Sequence, residues 1–113
     1  YMAEILEKAE ASDVLLLASP TYFLTMSGQM KVMIDRLLPK WQGLGGKDAY
    51  VIVTGHFWKK GLKRNAEELQ EILENLGNRV RQIIWGEHVW KKGEVIGTKA
   101  MTEAYLAGKG IGK

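Results

Sequence analysis

Short apolar runs separated by helical patterns constrain the fold of this chain most strongly. Val14–Ala18 and Asp48–Thr54 are almost unbroken apolar runs, which suit strands covered on both faces, as in a parallel sheet. A third run, Val80–Trp85, is interrupted by Arg81 and Gln82, which is typical of an edge strand. The runs begin about 35 and about 31 residues apart, the spacing of βαβ units. Because βαβ crossovers are right-handed, this pattern predicts an α/β fold with three adjacent parallel strands.

The segments around and between these strands have apolar residues at helical spacing. Residues 2–11 and 27–38 are predicted helices, the second capped by Ser27 and ended by Pro39. Gly77 stands where a left-handed residue ends the third helix. The apolar residues of the third helix and of a short last helix are, in chain order, Leu62, Ala66, Leu69, Leu73, Leu76, Met101, Ala104 and Tyr105.

The segments between the predicted elements carry turn residues and glycines. Ser19-Pro20 is predicted to end the first strand, since proline cannot donate to a sheet ladder. Residues 40–47 and 86–97 are predicted loops, and Thr98 is predicted to cap the last helix. The glycine-rich tail, residues 108–113, is predicted to fray.

The first strand raises a packing problem. Its side chains are apolar on both faces, yet the sequence offers it one sure neighbour. Proteins avoid unpaired hydrophobic edge strands. We therefore expect residues before Tyr1, or a partner chain, to cover this edge, and we expect the chain to be part of a longer polypeptide.

Composition restricts the classes of function. With 113 residues the chain has room for one domain. It has no cysteine, which excludes a disulfide scaffold and thiolate chemistry within these residues and fits a cytoplasmic location. The two histidines have no metal-site spacing, and no apolar stretch is long enough for a membrane span. Neither a metal site nor membrane association is predicted.

The charge balance is slightly basic, with a formal net charge of +3. One basic cluster lies on residues 59–64, and Lys91 and Lys92 form a lesser one. Solvated surface is the favoured interpretation, and a patch for a phosphorylated cofactor is the alternative. Nucleic-acid binding is not expected, because no groove-reading or base-stacking module accompanies the charges.

One segment carries a family resemblance. Ser19-Pro20-Thr21-Tyr22-Phe23 follows the first strand, Ser27-Gly28-Gln29-Met30-Lys31 opens the next helix, Asp35-Arg36 lies within it, and Thr54-Gly55 ends the second strand. This resembles the flavodoxin-like NAD(P)H-dependent FMN reductase family, especially its iron–sulfur flavoprotein branch. The resemblance implies a three-layer α/β/α fold with a parallel sheet. Residues 1–113 would be a single, partial domain that lacks the N-terminal strands and the phosphate loop.

The resemblance and the fold point to the same candidate site. In open α/β sheets, ligands bind beyond the carboxyl ends of the strands. A flavin ring needs flat apolar surface, which Pro20, Tyr22 and Phe23 can supply, and a few backbone groups for its pyrimidine edge. His56 stands where the family often has a second glycine. The predicted cofactor-binding residues are Ser19, Pro20, Thr21, Tyr22, Phe23, Thr54, Gly55, His56 and Phe57.

The resemblance implies an FMN-dependent oxidoreductase that takes hydride from NAD(P)H and passes electrons to a small acceptor such as a quinone or a flavin. A flavodoxin-type electron carrier is an alternative, although such carriers are often acidic and this chain is basic. A truncated assembly module without FMN is a third hypothesis. No catalytic residue is identified. A homo-oligomer, dimer or tetramer, is expected, with Trp41, Phe57 and Trp58 as candidate contacts.

Overall fold

The computed structural model describes residues 1–111. The predicted tail residues Gly112 and Lys113 lie outside this range. The strands are β1 (Val14–Pro20), β2 (Asp48–Thr54) and β3 (Arg79–Gly86); the helices are α1 (Met2–Ala11), α2 (Gly28–Asp35), α3 (Lys59–Asn75) and α4 (Lys99–Gly110), with a 3₁₀ helix at Leu38–Gly43.

The strands form one parallel sheet in the order β1-β2-β3, which confirms the predicted arrangement. Val14 lies opposite Asp48 at the start of the β1–β2 pair and Pro20 opposite Thr54 at its end. Thr54 in turn lies opposite Gly86. All three strands therefore end at one rim, and the loops that follow them begin side by side.

The hydrophobic core lies between one face of the sheet and helices α2 and α3. Alternate residues of β2 point toward this face, because side chains alternate along a strand. Ala49, Val51 and Val53 of β2 are fully buried, as are Leu62 and Leu69 of α3. Burial of these apolar surfaces stabilises the fold by roughly 25 cal/mol per Å².

The opposite face of the sheet is unevenly covered. Ile84 of β3 is buried, whereas Leu16 of β1 is 49% exposed. Both α3 and α4 contact β3, and α3 already occupies the first face. We therefore assign α4 to the second face, which makes three layers. The expectation that a further segment or chain covers β1 stays a prediction.

β1 is two residues longer than predicted, because Pro20 belongs to it. The amide of Thr21 donates to the carbonyl oxygen of Thr54 at 2.8 Å. Since alternate residues of a strand direct their amides to opposite sides, the nitrogen of Pro20 faces the other, unpaired edge. The proline therefore removes no hydrogen bond from the β1–β2 ladder, as expected for an edge strand.

The predicted helix at residues 27–38 was too long, and the predicted loop at residues 40–47 was wrong in its first part. α2 ends at Asp35, and a 3₁₀ helix occupies Leu38–Gly43 with Pro39 in its first turn. Proline is accepted there because the first amides of a helix need no internal partner. Leu37 and Leu44, at the two ends of this segment, pack with Leu6 of α1.

The predicted caps are confirmed. The hydroxyl of Ser27 accepts from the amide of Met30 at 3.1 Å, and that of Thr98 accepts from the amide of Met101 at 3.3 Å. Gly77 has φ +95°, a conformation that favours glycine. The tail prediction was wrong for residues 108–110, which belong to α4.

Candidate functional site

A cleft of about 480 Å³ opens at the rim where β1 and β2 end. Its volume is in the usual range for small-molecule sites. Seven of the nine predicted cofactor-binding residues line it, and the loop after β3 supplies the rest of its wall. The lining residues are Pro20, Thr21, Tyr22, Thr54, Gly55, His56, Phe57, Val89, Trp90, Lys91, Lys92 and Gly93.

The other two predicted residues do not line this cleft. Ser19 is 3% exposed, and its hydroxyl accepts from the amide of Ser27 at 3.0 Å and donates to the carbonyl of Pro20 at 2.8 Å. Phe23 is 99% exposed. Ser19 therefore holds the loop after β1 together from inside, whereas Phe23 projects from it.

The loop after β1 contains a tight turn with an unusual backbone. Tyr22 and Thr25 exchange amide-to-carbonyl hydrogen bonds at 2.9 and 3.2 Å. The two residues between them, Phe23 and Leu24, have φ of 47° and 74°. Positive φ at both central positions is typical of a type I′ turn, and it is rare for large side chains. Such residues cost about 1 to 3 kcal/mol each.

Two buried side chains anchor this loop to α3. Thr21 is 8% exposed and its Oγ1 lies 3.0 Å from Nδ2 of Asn65, which is fully buried. The same Nδ2 lies 3.2 Å from the carbonyl oxygen of Pro20. Farther along the loop, the hydroxyl of Thr25 bonds the carboxylate of Glu68 at 2.5 Å.

Gly55 links the end of β2 to the end of β3 and to the loop after β3. Its amide donates to the carbonyl of Gly86 at 3.1 Å, and its carbonyl accepts from the amide of Val89 at 2.7 Å. A Cβ atom at this position would lie 2.6 Å from Cδ2 of Leu62 and 3.4 Å from Cβ of Thr21. The absence of a side chain therefore allows the turn to pack closely against the core.

Aromatic rings surround the outer part of the cleft. The ring of His56 lies 5.3 Å from that of Trp90 and 6.0 Å from those of Phe57 and His88, all in edge-to-face geometry. Trp90 is 74% exposed and Phe57 is 51% exposed. The cleft therefore offers flat apolar surface that the protein core does not use.

The loop after β3 was the part of the site that sequence reasoning missed. Val89, Trp90, Lys91, Lys92 and Gly93 line the cleft, whereas the sequence predicts only a loop there, with Lys91 and Lys92 as solvated surface or, alternatively, as part of a patch for a phosphorylated cofactor. The loop is held by backbone bonds from His88 and Val89 to the β2 loop, at 3.1 and 2.7 Å. The only available signal was a tryptophan followed by two lysines.

Several backbone amides of the predicted cofactor-binding residues already donate hydrogen bonds within the protein. The amides of Thr21, Tyr22 and Gly55 donate to other backbone carbonyls. Within residues 1–111, the amides of Phe23, His56 and Phe57 donate to no other group of the protein. Among the predicted cofactor-binding residues, these three amides are therefore free donors, and two of them, His56 and Phe57, belong to residues that line the cleft.

The basic cluster on residues 59–64 lies on the first turns of α3. Lys63 and Arg64 pair with Glu67 and Glu68 of the same helix at 3.7 and 3.4 Å, and Lys59 lies 4.8 Å from the ring centre of Trp85. These contacts favour the interpretation as solvated surface over a phosphate patch. Exposed pairs of this kind contribute little to stability.

Across residues 1–111, no three His, Asp or Glu side chains group closely enough to hold a metal ion. No helix in the same range is long and apolar enough to cross a membrane.

An open parallel sheet with a cleft beyond its carboxyl ends is typical of doubly wound α/β proteins, of which the flavodoxin-like fold is one. The sequence profile of NADPH-dependent FMN reductases matches residues 1–86. The chain belongs to the NADPH-dependent FMN reductase family.

Individual relatives agree with this assignment. An iron–sulfur flavoprotein from Archaeoglobus fulgidus is 50% identical over 38 residues, which is 34% of this chain and 17% of that protein. The Trp repressor binding protein from Bacillus subtilis has a similar structure, with a TM-score of 0.73 and 25% identity, over 83% of this chain and 66% of that one. An NADH:FMN oxidoreductase, solved in its apo form, superimposes with a TM-score of 0.63 and 23% identity over 77% of this chain and 46% of that one.

Proposed function

We propose that this chain provides the flavin-ring site of an FMN-dependent NAD(P)H oxidoreductase that passes electrons to a small acceptor such as a quinone or a flavin. The observation that carries the proposal is the convergence of Pro20–Tyr22 and Thr54–Phe57 in one cleft at the sheet rim. Because the chain spans 66% and 46% of the two solved structures above, the activity of the whole protein is part of the proposal.

The lining of the cleft fits a flat ring. Tyr22, Phe57 and Trp90 offer aromatic surface, and a flavin ring is flat and apolar across its faces. The edge of the ring is polar, and the free amides of His56 and Phe57 are donors of the kind it requires. These residues would hold FMN, which when bound supplies the hydride and electron transfer.

The cationic side chains on the cleft wall are Lys91 and Lys92. Both are exposed, and neither forms an ion pair within residues 1–111 under a 4.0 Å limit. FMN and NAD(P)H both carry phosphate groups, so unpaired lysines at the rim favour the approach of either. A cytoplasmic location, where NAD(P)H is abundant, belongs to the same proposal.

A homo-oligomer is the proposed assembly. Phe23, Phe57, Trp58 and Trp90 are 99%, 51%, 67% and 74% exposed. Phe57 lines the cleft with Trp90 and a neighbouring open pocket with Trp58. Exposed aromatic residues close together favour a protein interface. A second subunit placed there would shield both the aromatic rim and the cleft from water.

The proposal is tested on the intact natural protein. We expect it to purify with, or take up, FMN, and to oxidise NAD(P)H in steady state when a quinone or free flavin is added. Trp90→Ala should weaken FMN binding, because it removes one wall of the cleft. Trp41→Ala is the matched control, since Trp41 is also exposed but lies in the 3₁₀ helix, outside the cleft.

Three outcomes contradict the proposal in different ways. A flavin-loaded protein that does not turn over NAD(P)H would indicate an electron carrier. A protein that takes up no FMN would indicate the truncated assembly module. Equal loss of FMN in the Trp90 and Trp41 variants would show that the cleft is not the ring site.

A further inference from the structure

Asn65 is a polar residue in an apolar environment. It is fully buried on the core face of α3, between Leu62 and Leu69, which are also fully buried. Burying an amide is unfavourable unless its hydrogen bonds are replaced. A leucine at this position would avoid the free-energy cost of burying an amide. The hydrogen bonds that Asn65 forms must therefore offset that cost.

The contacts of Asn65 are directed at the loop after β1. Its Nδ2 lies 3.2 Å from the carbonyl oxygen of Pro20 and 3.0 Å from Oγ1 of Thr21. A carbonyl only accepts hydrogen bonds, which places the amide nitrogen rather than the oxygen on this side. The Oδ1 atom of Asn65 is buried and has no partner within residues 1–111.

The Pro20–Thr21 peptide is thereby held from two directions. The carbonyl of Pro20 accepts from Nδ2 of Asn65 and also from the hydroxyl of Ser19, at 2.8 Å. Both lone pairs of this oxygen are therefore used. The amide of Thr21 donates to Thr54, so the peptide plane at the cleft wall has one fixed orientation.

The same contact decides whether the Thr21 hydroxyl donates or accepts. Because Oγ1 accepts a hydrogen bond from Asn65, its own hydrogen points elsewhere, and the hydroxyl donates to no other group within residues 1–111. Thr21 lines the cleft. The hydroxyl is thus a donor whose acceptor would come from a ligand, and the carbonyl oxygens at the polar edge of a flavin are acceptors of this kind.

We propose that Asn65 is a positioning residue, which fixes the Pro20–Thr21 peptide and presents the Thr21 hydroxyl as a hydrogen-bond donor to the flavin edge. The donor role of Thr21 rests on the proposed function. The anchoring role of Asn65 does not, because it concerns the protein alone.

Asn65→Leu is the decisive variant. It removes the anchor but also removes the unpartnered buried Oδ1, so we expect little change in the denaturant midpoint. Amide hydrogen exchange at Thr21 and Tyr22 should become at least about tenfold faster, while exchange at Val51 stays unchanged. FMN affinity, measured by flavin fluorescence, should fall about tenfold, in line with loss of one well-formed hydrogen bond.

Two threonine variants provide a second measurement if Asn65→Leu folds poorly. Thr21→Val keeps the shape but removes the hydroxyl, and should lower FMN affinity and shift the midpoint potential of the flavin. Thr21→Ser should restore both values. Thr25→Val is the matched control, since its hydroxyl bonds Glu68 in the same loop but does not line the cleft; it should leave the affinity unchanged. The Asn65→Leu, Thr21→Val double variant should bind no more weakly than Thr21→Val alone.

Each remaining outcome decides against part of the proposal. Unchanged exchange at Thr21 and Tyr22 in Asn65→Leu would overturn the anchoring role, whether or not FMN binds. If the Asn65, Thr21 and Thr25 variants lost stability and FMN affinity in parallel, all three residues would have only a general structural role. Wild-type protein that takes up no FMN would overturn the proposed function and the donor role of Thr21, while the exchange result still decides the anchor.

Discussion

The two loops that form opposite walls of the cleft are built differently. The loop after β1, residues 21–27, is tied by buried side chains: Ser19 bonds the amide of Ser27, and Asn65 bonds Pro20 and Thr21. The loop after β3, residues 87–97, is tied to the β2 loop by backbone bonds of His88 and Val89, and most of its side chains are exposed.

This difference indicates that the two walls of the cleft have different roles. Buried side-chain hydrogen bonds restrict a loop to one conformation, and a preformed wall loses little entropy when a ligand binds. A loop with few buried contacts belongs to the less stable parts of a structure. We therefore expect the loop after β1 to be the fixed wall of the site and the loop after β3 to be the adjustable one.

The largest expected effect comes from breaking the fixed wall. Ser19→Ala removes the acceptor of the buried Ser27 amide and one donor to Pro20. Leaving a buried amide unpaired costs about 1 to 3 kcal/mol, measurable as a lower free energy of unfolding in urea. Ser12→Ala is the control, because its hydroxyl bonds only the half-exposed end of α1; a loss as large as that of Ser19→Ala would contradict the comparison.

A smaller effect is expected from trimming the adjustable wall. Trp90 is 74% exposed, so Trp90→Ala should change the free energy of unfolding by less than about 0.5 kcal/mol. It should still weaken FMN binding by about 1 kcal/mol through lost ring contact. Parallel urea and fluorescence titrations measure both. A stability loss above that of Ser19→Ala would show that the loop after β3 is a structural element.

The smallest effect concerns charge. Replacing Lys91 and Lys92 together by glutamine should lower the association rate of FMN or NAD(P)H by about two- to threefold at low salt, and the difference should shrink in high salt. Stopped-flow fluorescence measures these rates. Lys40→Gln with Lys109→Gln removes the same charge away from the cleft, and an equal slowing there would assign the effect to net charge alone.

Most of the fold was predictable because its signals are local. The apolar runs of β1 and β2 and the helical spacing of α3 each fit one kind of element, and Ser27 and Gly77 mark element ends. The errors occurred where tertiary contacts decided the local structure. Leu37 and Leu44 pack with Leu6, which favours a 3₁₀ helix where the pattern alone predicted a continued helix and then a loop.

The candidate site was predictable only where strands end. Thr21 and Gly55 were predictable because each comes directly after a strand, and both line the cleft. Asn65 and Trp90 could not be predicted in this way, because they are 44 and 69 positions from Thr21 along the chain and only the tertiary fold brings them to the rim. A buried asparagine on an apolar helix face was the available signal for Asn65, and only the structure identifies its partners.

The central claim is that the flavin ring lies in the cleft between these two walls. An amide-resolved NMR titration of the intact protein with FMN tests this directly. The account predicts that shift changes concentrate at residues 21–23, 55–57 and 89–93. Changes concentrated instead at a separate cavity between Trp58, Trp85 and Glu103, with residues 21–23, 55–57 and 89–93 unchanged, would contradict it.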